Sequence, residues 1–155
     1  MKGERARKKV ALIVSRTNGP VTQRLRKGAR AVLDQTSGVE VEECEVVGAF
    51  ELVAAARWAR DAGFDAAVAI GAVVRGETPH FDWICHAVTT GLVRICTEGF
   101  YVAFGVLTVD SLAQAMARAG GPLGNKGAEA AEAAREMLAL QDRLKRGDEG
   151  GNDSA

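Results

Sequence analysis

Apolar residues first gather at 9–15 (KVALIVS), a β-branched run that reads as a buried strand. Thr17-Asn18-Gly19-Pro20 is turn chemistry, and Val21, Leu25, Ala29, Val32 and Leu33 then recur at helical spacing until Ser37-Gly38. Residues 39–47 alternate, which predicts a strand exposed on one face or at a sheet edge. Residues 49–61 predict a helix with Leu52, Val53, Ala56 and Ala59 on one side and Gly63 as its stop. A third strand is expected over 64–74. Thr78 then caps, and Pro79 begins, a helix whose Phe81, Ile84, Val88, Leu92 and Ile95 step by three or four. A fourth strand is expected over 100–107, and a short helix capped by Asp110 or Thr108 runs to about Ala119. Glycines at 120–124 break the pattern before a last Ala-rich helix from Gly127 to about Arg146. Residues 1–8 read as a disordered lead and 147–155 as a disordered polar tail, leaving one domain over 9–146.

Strand and helix alternate strictly, so the expected fold is α/β, with a four-stranded parallel sheet and helices on both faces. Ligands bind outside the carboxyl ends of such strands. The loops after the strands, around Thr17, Ala49, Val74 and Thr108, are therefore where chemistry is to be sought.

Composition narrows the classes. Lys+Arg and Asp+Glu both number 20 in 155 residues, so net charge gives no bulk attraction to nucleic acid or an anionic membrane. Cys44, Cys85 and Cys96 form neither an even set nor a CxxC pair, which points to reduced cytosolic thiols and no metal site. No signal peptide or membrane span is expected. Dinucleotide, P-loop and serine-hydrolase fingerprints are missing from the sequence.

The segment at 71–82 (GAVVRGETPHFD) holds the densest candidate chemistry. It joins a strand end, a glycine turn and a helix start, whose free N–H groups and dipole suit a phosphate or carboxylate. His80 falls in the first turn, and an unperturbed imidazole pKa of roughly 6.5 suits acid–base work near neutrality. The plainer alternative is a histidine that only packs or bonds to backbone. Glu51, at the start of the second helix, is either a cap acid or a hydrogen-bonding ligand for a polyol or a heterocycle. Arg118 either complements a helix C-terminus or binds an anion. Lys126 is either solvated or placed by the adjacent glycine turn to meet a phosphate or ring carbonyl.

Four segments, VVGAFEL, GAVVRGETPHFD, FGVLTVDSLAQAMARAG and GNKGAEAA, together resemble the lumazine synthase family, in the family's order and over residues 9 to 140. The resemblance implies a flavodoxin-like three-layer sandwich, a pentamer or an icosahedral shell of twelve pentamers, riboflavin synthase as a further partner, and a cytoplasmic enzyme without metal or organic cofactor. It implies condensation of 5-amino-6-ribitylaminouracil with 3,4-dihydroxy-2-butanone 4-phosphate. By position, His80 matches the acid/base histidine. Glu77 and Thr78 match the residues whose N–H groups hold the phosphate, and Arg118 the phosphate-binding arginine. Ala49, Phe50 and Glu51 match the segment holding the ribityl chain, and Val73 and Val74 the lining of the pyrimidine. Phe104 and Lys126 match groups supplied across a subunit interface.

Thr17 stands where the family usually has a Phe or Trp that stacks on the pyrimidine, and Gly121-Pro122-Leu123 replaces a Thr-Lys-Ala-like segment. The alternative reading is a non-catalytic pentameric or shell-forming module on the same fold.

Overall fold

The computed structural model describes residues 7–149. The order is β1 (Lys8–Ser15), α1 (Gly19–Asp34), β2 (Val39–Val46), α2 (Glu51–Asp61), β3 (Ala66–Val74), α3 (His80–Thr97), β4 (Tyr101–Val109), α4 (Leu112–Ala117), β5 (Ala119–Gly121), β6 (Gly124–Asn125) and α5 (Lys126–Glu149). β1 to β4 form one parallel sheet in the order β2-β1-β3-β4. The two inner strands are buried on both faces, which explains their unbroken apolar runs. β2 is an edge, as its alternation predicts, and its outward carboxylates discourage pairing with another edge. Glu43 is held by Arg26 and Arg30 of α1 at 3.2 and 3.3 Å.

Side-chain alternation along the strands divides the core. Val10, Leu12, Val14, Val68 and Ile70 pack against α1, α4 and α5. Ala11, Ile13, Ala67 and Ala69 pack against α2 and α3. The result is the expected three-layer α/β sandwich. Gly63, at φ 89°, ends α2 in the left-handed region that favours glycine.

Several boundaries differ from expectation. Lys8 belongs to β1 rather than to a lead, and residues 147–149 continue α5 rather than beginning a tail. Arg7 is described, outside any strand or helix, and residues 1–6 and 150–155 of the predicted disordered ends lie outside the described residues. Asp110 and Thr108 do not cap α4. Ser111 does, its Oγ accepting from Gln114 N–H at 3.2 Å, while Gln114 Oε1 accepts from Asp110 N–H at 2.8 Å. This is close to the reciprocal Ser-x-x-Gln cap. The glycine-rich break is a small antiparallel hairpin, β5–β6.

The GNKG sequence acts structurally at the start of α5. Asn125 Oδ1 accepts from Gly127 and Ala128 N–H at 2.9 and 3.0 Å, an N-cap arrangement. Its Nδ2 donates to Arg24 O of α1 at 3.0 Å. A Cβ at Gly28 would strike the Asn125 amide at 2.5 Å, and one at Gly127 would run into the Leu25 carbonyl. Gly127 thus lets the start of α5 meet the backbone of α1, and Gly28 makes room for the Asn125 side chain. Gly127→Ala is expected to destabilise the fold by about 2 kcal/mol through overpacking. A thermal unfolding midpoint equal to that of the parent protein would show that the approach is not needed.

Candidate active site

Parallel strands place the β1–α1, β2–α2 and β3–α3 loops at one end of the sheet. At that end Thr17 leaves β1. Its N–H and its hydroxyl both donate to Val47 O, at 3.2 and 2.9 Å, tying the loop to the end of β2. Asn18 follows in the left-handed region at φ 59°, and its Nδ2 donates to Ala72 O of β3 at 2.8 Å. The start of α1 is therefore latched to both neighbours of β1. The sequence marks Asn18 only as a turn residue, because its partner is distant in the chain.

Gly48 stands between two predicted ligands. A Cβ there would meet Glu51 Oε2 at 3.2 Å and Thr17 Oγ1 at 3.4 Å. The carboxylate and the hydroxyl thus face one small space, kept open by the missing side chain. Glu51 is exposed in the first turn of α2, where the dipole favours its charge. Ala49 is buried beneath it, while the largely exposed Phe50 lines the groove between α2 and α3 with Val53, Arg57 and Gly91. Ser15, the last residue of β1, is fully buried, with no hydrogen-bond partner for Oγ among the described residues.

Val73 and Val74 end β3 and are half-buried. As successive strand residues they project to opposite faces. Val73 packs on the α2–α3 layer, and Val74 on the layer of α1, α4 and α5. Their side chains cannot line one surface together.

Arg75, Gly76, Glu77, Thr78 and Pro79 carry the chain to α3, all of them exposed. Pro79 rather than Thr78 occupies the cap position, with φ −63° and ψ −4° already helical. Thr78 Oγ1 accepts a long bond from His80 N–H at 3.4 Å. His80 opens α3 with its side chain exposed, so packing does not account for it. Asp82 and the terminus of α3 are tied to Arg75, whose guanidinium is also hydrogen-bonded to Asp110. That bond, with Asp82 nearby, pushes the guanidinium above its ordinary value and fixes its charge.

Phe104, Arg118 and Lys126 lie elsewhere. They line a groove of about 580 Å³ along the open edge of β4, bounded by Thr108, Glu129 and Ala133. Its lining includes none of Thr17, Glu51 and His80. Phe104 is 45% exposed on the edge strand. Arg118 donates to Gln114 O at 3.0 Å, at the end of α4, and Lys126 pairs with Glu129 at 2.9 Å. Within one chain the twelve predicted site residues therefore form two groups, one at the strand ends and one along the β4 edge. Among the described residues, no cluster of three or more His, Cys, Asp or Glu could hold a metal, and no helix is long and apolar enough to cross a membrane.

The family model for 6,7-dimethyl-8-ribityllumazine synthase matches residues 7–142. A 6,7-dimethyl-8-ribityllumazine synthase of Kineococcus radiotolerans is 52% identical, over 84% of this chain and 83% of its own length. One of Salinibacter ruber is 46% identical, over 86% and 88%. One of Bdellovibrio bacteriovorus is 41% identical, over 85% and 74%. With a family-model match spanning residues 7–142 and relatives 41–52% identical over most of their length, the chain belongs to the 6,7-dimethyl-8-ribityllumazine synthase family.

Proposed function

We propose that this chain makes 6,7-dimethyl-8-ribityllumazine in riboflavin biosynthesis, joining 5-amino-6-ribitylaminouracil to 3,4-dihydroxy-2-butanone 4-phosphate and releasing phosphate and water. The observation that carries this reading is the convergence of Thr17, Glu51 and the exposed His80-bearing helix start at the strand ends. The uracil's 5-amino group attacks the ketone carbonyl, and loss of water gives an imine. Loss of phosphate, attack by the ribitylamino nitrogen and a second dehydration close the ring. Holding the two reactants together supplies much of the acceleration.

Each residue has a part. The Glu77 and Thr78 N–H groups at the start of α3 hold the phosphate, with Arg118. Glu51 accepts hydrogen bonds from the ribityl hydroxyls, against Ala49 and Phe50. Val73 lines the pyrimidine through its side chain, and Val74 contributes backbone. His80 moves protons at the imine and at the departing phosphate. A cytoplasmic enzyme fits the reduced thiols.

The site is shared between copies of the chain. Phe104, Arg118 and Lys126 of one protomer complete the Thr17–Glu51–His80 group of another, in a pentamer alone or as part of a shell. Two features support this: the β4-edge groove apart from His80, and the α2–α3 layer, where Phe50, Trp58, Trp83 and Val93 are more than half exposed. Riboflavin synthase is the further partner in this reading.

Turnover of the two substrates, followed at the lumazine absorbance, tests the activity. His80→Ala is expected to lower kcat by about 10²-fold without abolishing it, and an unchanged rate would remove the histidine from the chemistry. Thr17→Phe restores a stacking surface and is expected to lower KM for the pyrimidine by about tenfold, from a stacking energy of roughly 1–3 kcal/mol; an unaltered KM would show that no stacking partner is wanting. Mixing His80→Ala subunits with Lys126→Ala subunits under exchange conditions should regenerate intact sites and raise activity above either parent. A mixture no more active than its components would place both residues in one protomer's site.

A further inference from the structure

Arg75 sits between the last residue of β3 and Gly76. Its backbone N–H donates to Val109 O at 2.8 Å, which carries the ladder with β4 one residue past the end of β3. Its side chain then meets two other elements. Nε donates to Asp110 Oδ1 at 2.8 Å, and one terminal nitrogen donates to Asp82 Oδ1 at 3.3 Å. The guanidinium carbon lies 4.4 Å from the centroid of the Phe81 ring. Phe81 and Asp82 belong to the first turn of α3, and Asp110 lies in the loop after β4.

The loop this arrangement borders has little else to fix it. A Cβ at Gly76 would meet open space, and residues 76–79 are exposed. Asp110 is itself anchored, since its N–H is held by Gln114 Oε1 at the start of α4. Isolated exposed ion pairs contribute little to stability. A planar fork spread over two carboxylates and a ring acts differently, because it fixes direction. The consequence is positional: where β3 ends, which way the chain turns at Gly76, and where the N–H groups of Glu77 and Thr78 point.

We propose that Arg75 is a positioning residue that preforms the anion-binding loop, locking residues 76–79 between Asp110 and the first turn of α3. This rests on the function proposed above, in which that loop holds the substrate phosphate. Arg75 does its work through Asp110 and not by touching the phosphate.

The test compares the parent protein with Arg75→Gln, Arg75→Lys, Asp110→Asn and the Arg75→Gln/Asp110→Asn double variant. Steady-state kinetics in both substrates are paired with hydrogen exchange of the amides at 76–80. Arg75→Gln and Asp110→Asn are each expected to raise KM for the phosphate-bearing substrate by about tenfold, with KM for the pyrimidine held within about twofold. The double variant is expected to be no worse than Arg75→Gln alone, since one interaction has been removed twice. Arg75→Lys, with the charge but not the fork, falls between. Loop amides in Arg75→Gln should exchange about tenfold faster. Asp110→Asn with the parent KM, or additive effects in the double variant, would overturn the proposal and make Arg75 a direct ligand. Unchanged exchange at 76–80 would overturn it too. If the parent protein gave no turnover, the functional reading would fall, while the exchange comparison would still decide whether Arg75 holds the loop.

Discussion

The parallel ladder between β1 and β3, from Val10 opposite Ala66 to Val14 opposite Ile70, is the constraint on which the rest of the molecule depends. These strands are buried on both faces, so neither can slip by one residue without exchanging its two packed surfaces. With β2 and β4 added in the same direction, each strand's exit falls at the same end of the sheet. That geometry gathers Thr17, Glu51 and the start of α3, which are far apart in the chain. The hydrogen bonds from Thr17 to Val47 and from Asn18 to Ala72 then hold adjacent exits together. Site formation is thus a by-product of strand direction, refined by a few polar contacts.

The opposite face is fixed differently. α5 meets the backbone of α1 at Gly127, while the Asn125 side chain sits over Gly28 and bridges to Arg24 O. This contact sets where α5 begins, and so where Lys126 stands. A sequence that resembles a ligand-binding motif is here also a packing joint, and the two roles fall on different atoms. Asn125 and Gly127 serve the joint, while the Lys126 ammonium stays exposed at the groove.

Much of this was legible in the sequence because hydrophobic periodicity reports burial directly. The two inner strands read as unbroken runs, the β2 edge as an alternation, and the third helix by its steps of three and four. What escaped depends on contacts between distant residues. Asp110 looks like a cap by local chemistry, but its carboxylate is taken by Arg75, 35 residues away, and Ser111 caps instead. The glycines after α4 signal a break, whereas hairpin pairing between Ala119 and Asn125 gives that break its structure. The candidate residues Thr17, Glu51 and His80 follow from strand ends alone. The divergence of Val73 and Val74 follows from strand alternation, since both fall inside the strand expected over 64–74. Asn18 and Arg75 gave no local signal, since their partners lie on other strands and loops.

The two groups of candidate residues also differ in which partners they already hold. At the strand ends, the N–H groups after Gly76 and the Glu51 carboxylate are exposed, and Arg75 has already oriented the loop. Along β4, the cations have partners: Lys126 holds Glu129, and Arg118 holds the Gln114 carbonyl. Those contacts are not strong competitors. The Lys126 and Glu129 side chains are 46% and 56% exposed, and a pair so solvated is worth about 0–1 kcal/mol. A phosphate dianion brought by a substrate carries more charge and more acceptors than either partner, and it gains further as water is excluded. In the proposed shared site, exchange of partners would therefore favour the substrate. Within one chain those cations stay occupied, so under the proposed function the same electrostatics that leave the single subunit quiet would make an assembled pocket selective for a phosphorylated reactant.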